Sequence, residues 1–308
     1  LPPSFNSVSV VFPESTTNPI NFPQNMMGFG KIQSDYALLQ AAFTWSYKFS
    51  DKLSFGIAPS LNYATLELIP NPTANPSMTA GYPSTDKAST IGIGGHFALF
   101  YDSNTGFTTG ISYKSTVNFS AFDFNNTYLD NSKATNSFDM DYPAIYSIGV
   151  GYSKEKFDLA LDYRLIDYEN TNGFENSGWT QTASVAGFGW ENVSVVSLGL
   201  QYKGFAKLPL RVGYTYSSNP ITSETAFFNV PATAVIKNAY QFGFSYEASK
   251  KVCLDFVYHH GASSGDTSGS LYNPQFITPT NPNGAIPGSN ISYSMTTDML
   301  MLGFSYNF

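Results

Sequence analysis

The last ten residues, Met299 to Phe308, read M-L-M-L-G-F-S-Y-N-F and alternate without a break. An extended strand sends successive side chains to opposite faces. Leu300, Leu302, Phe304, Tyr306 and Phe308 therefore share one face, and Met299, Met301, Gly303, Ser305 and Asn307 share the other. The first face is apolar and aromatic throughout, whereas the second is mostly small or polar. Such a strand suits a wall with hydrocarbon on one side and a solvated lumen on the other. A sandwich strand alternates in a similar way, so repetition along the chain decides between them.

The pattern does repeat. Period-2 segments predict about twelve strands, near residues 5–12, 36–49, 53–68, 90–101, 107–119, 143–152, 157–168, 193–203, 208–217, 238–247, 252–261 and 292–308. Their connections alternate in length. Tight turns fall at 50–52, 102–106, 153–156, 204–207 and 248–251, and long segments rich in Pro, Asn, Ser and Thr fill 13–35, 69–89, 120–142, 169–192, 218–237 and 262–291. Short turns at one end and long loops at the other are the habit of outer-membrane barrels. The expectation is an all-β, transmembrane, antiparallel up-and-down β-barrel, one domain over residues 1–308, in a bacterial outer membrane with its C-terminus periplasmic.

Composition agrees. Charged residues make up 12% of the chain and aromatics 16%, against roughly 25% charged in soluble domains. No apolar run of about 18 residues exists, which excludes a helical span. A barrel needs only every second residue to be apolar, consistent with a mean hydropathy of -0.14. The net charge of -7 argues against a nucleic-acid partner, since no basic stripe is present to displace counterions from phosphate. The single cysteine, Cys253, excludes an internal disulfide framework and a cysteine-based zinc site. No charged leader with an apolar run precedes Leu1, so the secretion signal that a barrel requires is expected to have been removed or to lie upstream.

Parity separates the two faces of the wall. Trp45, Tyr47, Phe55, Leu61, Leu161 and Tyr163 are among the predicted lipid-facing residues, with tyrosines gathered toward strand ends, where an amphipathic ring suits the headgroup level. The opposite parity carries Ser54, Gly56, Asn62, His96, Lys114, Asp162, Arg164, Arg211 and Asp255. A few inward positions are apolar: Leu66, Leu68, Phe100, Ile166, Val257, Met299 and Met301. These are the candidate ligand-binding residues, since a greasy inner surface gains on the order of 25 cal/mol per Å² of ligand covered. The alternative is that they pack beneath a loop or plug.

No catalytic or cofactor motif stands out. His96, His259 and His260 lack a motif-placed nucleophile and orienter, and there is no Gly-rich phosphate loop or H-E-x-x-H. The acids of the loop at 123–141 lack the spacing and glycine of a calcium loop and read as a solvated loop. No metal, cofactor or enzymatic activity is expected.

Several segments together resemble the FadL/TodX family of outer-membrane transporters for long-chain fatty acids and aromatic hydrocarbons. They are Tyr36 to Leu68, Gly106 to Phe119 (G-F-T-T-G-I-S-Y-K-S-T-V-N-F), Leu210 to Ile221 (L-R-V-G-Y-T-Y-S-S-N-P-I) and Thr297 to Phe308. The resemblance implies passive uptake of a hydrophobic small molecule by a barrel of fourteen strands plugged by an N-terminal hatch. No segment here is similar to the hatch, and twelve strands are predicted, so the start at Leu1 reads as a truncation. By the same resemblance, loops 69–89 and 262–291, with Leu66 and Leu68, form the outer capture surface. The expected partners are a hydrophobic ligand and outer-membrane lipid around a monomer. The competing readings are an outer-membrane lipid hydrolase and a structural or adhesive barrel.

Overall fold

The computed structural model describes residues 4–26, 28–249 and 251–306. Asn307 and Phe308, which close the alternating decapeptide, lie outside the described residues. Twelve long strands build one antiparallel sheet: β1 (Ser4–Phe12), β2 (Ile32–Ala42, continued by Trp45–Lys48), β3 (Leu53–Ile69), β4 (Ala88–Asp102), β5 (Phe107–Lys114), β6 (Ala144–Lys154), β7 (Phe157–Asp167), β8 (Val193–Tyr202), β9 (Leu210–Ser217), β10 (Asn238–Glu247), β11 (Val252–Ala262) and β12 (Thr296–Tyr306). Each pairs with its sequence neighbours, an up-and-down meander from β1 to β12. Among the described residues no ladder joins β1 to β12.

Two local irregularities have chemical causes. The gap in β2 at residues 43–44 lies opposite Pro59: Phe43 N–H donates to the Pro59 carbonyl at 3.0 Å, but proline has no N–H to return. The register is unchanged across the gap, since Ala42 faces Ser60 and Trp45 faces Ile57. The second irregularity shifts the register. His96 pairs with Lys114, but Ile93 pairs with Asn118, so one extra residue is accommodated on the second strand, a β-bulge. The Ser115 hydroxyl fills the distorted ladder by accepting the Gly95 N–H at 2.9 Å. Past the bulge parity reverses, and Phe119 turns inward over Gly92, where any Cβ would meet its ring at 2.6 Å. Uninterrupted alternation from Phe107 would have placed Phe119 in lipid.

The outer face follows the predicted parity. Trp45, Tyr47, Leu61, Leu161 and Phe242 are exposed, and directly paired residues continue the band across strands, as in Leu99–Ile111–Ile148–Tyr163. Exposed tyrosines mark both margins: Tyr101, Tyr152, Tyr246 and Tyr306 near the tight turns, and Tyr113, Tyr146, Tyr216 and Tyr240 toward the loops. That is the double aromatic girdle of a membrane barrel. No helix among the described residues is long and apolar enough to cross a membrane.

The long loops do more than connect. The segment 120–142, read from sequence as a solvated acidic loop, holds a hairpin of Phe122–Thr127 and Lys133–Phe138, joined by Ser84–Thr85 into a three-stranded sheet. Asp141 is correspondingly buried, accepting from Phe119 N–H at 2.8 Å and from the Asn172 amide at 2.7 Å. A second small sheet pairs Thr267–Gly269 with Ile291–Tyr293. Together the loops form a cap with apolar centres of its own.

Candidate ligand path

Inward residues change character along the wall. On β3, Ser54 and Gly56 near the tight turn are part-exposed, while Asn62, Ala64, Leu66 and Leu68 toward the loops are 3% exposed or less. The bore is therefore accessible in its turn-side half and filled in its loop-side half. The filling is the largest apolar cluster, in which Leu38, Leu66 and Leu68 meet Phe122, Phe124 and Phe188 of the cap.

The seven sequence-predicted ligand residues fall in separate places. Leu66 and Leu68 belong to that sealed cluster. Phe100 is 47% exposed on the inner face, its ring edge over Gly110, and it lines a hollow of about 660 Å³ with His96, Lys114, Asp162 and Arg164. Ile166 pairs with Ile145 and Val193. Val257 and Met301 are cross-strand partners, with Met299 one pleat above at half exposure. The structure brings together Leu66 with Leu68, and Val257 with Met299 and Met301, but does not unite all seven.

Polar side chains between these footholds are tied to one another. Lys114 Nζ donates to Gln40 Oε1 at 2.9 Å and lies 4.4 Å from the centre of the Tyr142 ring, and Gln40 passes the chain to Asn62 Oδ1 at 2.7 Å. Near the turns a ladder crosses five strands: Lys203 and Gln201 donate to Asp158 at 2.7 and 2.6 Å, Arg211 donates to Gln201 Oε1 at 2.6 Å and to Ser245 Oγ at 2.8 Å, and Ser245 donates to Asp255. Pairing these groups lowers the cost of keeping charge beside an apolar path.

Sequence reasoning missed a pocket in the cap. Phe29, Tyr82, Trp179, Phe227 and Phe228 surround it, with Pro70, Pro72 and Pro231 and no charged side chain, and it encloses about 50 Å³ of free space. Each ring comes from a segment that composition marks as a polar loop; the signal was the scatter of Trp and Phe within those segments. Hydrogen bonds between loops hold it shut: Tyr82 Oη donates to the Ala183 carbonyl at 2.5 Å, Trp179 Nε1 to the Asn283 carbonyl at 3.0 Å, and Val185 N–H to the Pro72 carbonyl at 2.8 Å. Burial pushes the Tyr82 phenol well above its ordinary pKa, so it stays a donor at any physiological pH.

Residues 20–307 match the sequence pattern of the outer membrane protein transport protein family (OMPP1/FadL/TodX). The chain belongs to that family. No curated protein matches it at the sequence level. Among solved structures it is similar to the P. putida toluene transporter TodX, at 15% identity and a TM-score of 0.66 over 99% of this chain and 78% of that one. A Pseudomonas aeruginosa FadL homologue gives 13% identity and a TM-score of 0.65 over 90% and 68% of the two chains. The Ralstonia pickettii toluene transporter TbuX gives 15% identity and a TM-score of 0.61 over 99% and 78%. At these identities the likeness carries the fold, an outer-membrane β-barrel, and family membership makes the chain a member of a transport family.

Proposed function

We propose that this protein is a passive channel for hydrophobic small molecules, with aromatic hydrocarbons and long-chain fatty acids as the ligand class, and that it performs no covalent chemistry. One observation carries the reading: an aromatic-walled pocket without charge sits in the cap above a bore open from the turn side. TodX and TbuX, which share the fold, are toluene transporters. An apolar cavity of about 150 Å³ accommodates benzene, so a ring-sized ligand enters the cap pocket only when side chains such as Tyr82 and Trp179 move aside.

From there Phe100, Ile166, Val257, Met299 and Met301 serve as successive apolar footholds, each covering part of the ligand for about 25 cal/mol per Å². Leu66 and Leu68 reach a ligand only when the cap core beneath the loops opens. The tight turns and the C-terminus face the periplasm, the loops face outward, and the barrel works as a monomer surrounded by lipid. Uptake into proteoliposomes tests the proposal: toluene and labelled fatty acid should enter faster than a sugar, and F228N, which puts an amide in the pocket and leaves the loop hydrogen bonds of Tyr82 and Trp179 in place, should slow entry of the toluene. Equal rates for all three solutes, or lipid hydrolysis by the purified barrel, would overturn it.

A further inference from the structure

The net charge of -7 conceals a separation between the two ends of the barrel. Four tight turns carry lysines: Lys48 and Lys52, Lys154 and Lys156, Lys203 and Lys207, and Lys251. These are seven of the 15 basic side chains; Asp51, Asp102, Glu155 and Glu247 oppose them on the rim, and Asp158 and Asp255 stand on the bore side of the same end. The loop end, residues 13–35, 67–89, 120–142, 167–192, 218–237 and 263–295, holds 14 of the 22 acidic residues and four lysines.

Few of the turn lysines are neutralised. Lys203 pairs with Asp158 on the bore side at 2.7 Å, and Lys48 lies 3.7 Å from Asp51 with both side chains mostly in solvent. Among the described residues Lys52, Lys154, Lys156 and Lys207 are exposed and form no ion pair. Their position is also specific. The turns adjoin the outward tyrosines of the lower girdle, and Lys251 Nζ stands 5.8 Å from the centre of the Tyr306 ring, which puts an ammonium beside a headgroup-level aromatic.

We propose that this collar binds the phosphates of anionic phospholipid headgroups in the leaflet facing the turns. The spread of these lysines selects lipid over a soluble partner. They run from the β2–β3 turn to the β10–β11 turn, across most of the sheet, whereas a globular partner would touch one sector of the rim and a leaflet meets every sector. That this leaflet is the periplasmic one rests on the orientation proposed above; the binding itself does not.

The experiment reconstitutes the full chain in phosphatidylethanolamine bilayers with a minor fraction of spin-labelled phosphatidylglycerol or, separately, spin-labelled phosphatidylcholine. The motionally restricted signal gives the association of each lipid with the barrel. Phosphatidylglycerol should be favoured about fivefold, the ratio expected for one lysine contact per headgroup. The preference should vanish in K52Q/K154Q/K156Q/K207Q and persist in K31Q/K87Q/K133Q/K237Q, which changes the loop-end lysines instead. On the unmodified protein it should fade as salt shortens the Debye length from about 10 Å at 0.1 M to about 3 Å at 1 M, a readout that needs no variant to fold. Equal association of the two lipids, or a preference untouched by salt and by the turn substitutions, overturns the proposal and leaves the collar to a soluble anionic partner. Solute uptake plays no part in the measurement, so its outcome is separate from that of the channel reading.

Discussion

The wall and the cap are built by different physics from one chain. In the wall, backbone hydrogen bonds run strand to strand and side chains divide by parity, so Leu161 and Asp162 are neighbours in sequence and opposites in environment. In the cap, backbone regularity is sparse, and order comes from buried clusters such as Phe122, Phe124, Phe138 and Met140 with a closed set of amide bonds. Asn71 donates to Asn126 Oδ1 at 3.0 Å and to Asn136 Oδ1 at 3.1 Å, and Asn126 donates to Asn136 Oδ1 at 2.8 Å. The wall tolerates a change on the right face, whereas the cap depends on individual packing partners.

The largest expected contrast comes from Phe124→Ala. Removing a ring that is 1% exposed should cost the cap about 3–5 kcal/mol, read as faster hydrogen exchange in 120–140 with exchange in β7 to β9 unchanged. Equal acceleration in the wall would merge the two regions into one cooperative unit. Next is Leu161→Arg, at mid-strand on the lipid face, which should destabilise folding into lipid vesicles by about 2–4 kcal/mol. Ser197→Arg, on the inner face as the cross-strand partner of Asp162, should cost far less. A similar loss for both would contradict the assigned parity. Smaller again, Asn126→Ala takes one acceptor from the Asn71 amide and one donor from Asn136, which stay bonded to each other and to Thr73, and should cost about 1 kcal/mol, measured as loss of protection in the hairpin 122–138.

The same contrast explains what the sequence made legible. Every wall strand was readable within a few residues because lipid and lumen impose period two over ten residues at a time; β7, predicted at 157–168, is Phe157–Asp167. The inversion of Phe119 was not readable, because a bulge is a ladder defect that leaves no mark on the alternation of Ser115, Thr116 and Val117. The cap escaped for a related reason. Its hairpin strand Phe122–Thr127 alternates buried and exposed over only six residues, and its pocket joins Phe29, Tyr82, Trp179 and Phe228, which no local period connects. The inward apolar residues were identified by parity, but parity does not distinguish the open stretch around Phe100 from the covered one around Leu68.

The subtlest test lies where the cap would have to open. Tyr82→Phe removes only the Oη donor to the Ala183 carbonyl while leaving the ring in the pocket. The net worth of such a bond is about 0.5–1.5 kcal/mol, too little to unfold the cap but enough to shift a closed-to-open balance. If opening limits entry, toluene uptake should rise roughly two- to tenfold, with hydrogen-exchange protection reduced near 82 and 183 and unchanged in the wall. Trp179→Phe should act in the same direction by freeing the Asn283 carbonyl, but less cleanly, because it also shrinks a ring that packs against Phe227 and Phe228. An unchanged uptake rate in Tyr82→Phe, with protection near 82 and 183 lost, would separate cap opening from transport and direct the ligand past this pocket.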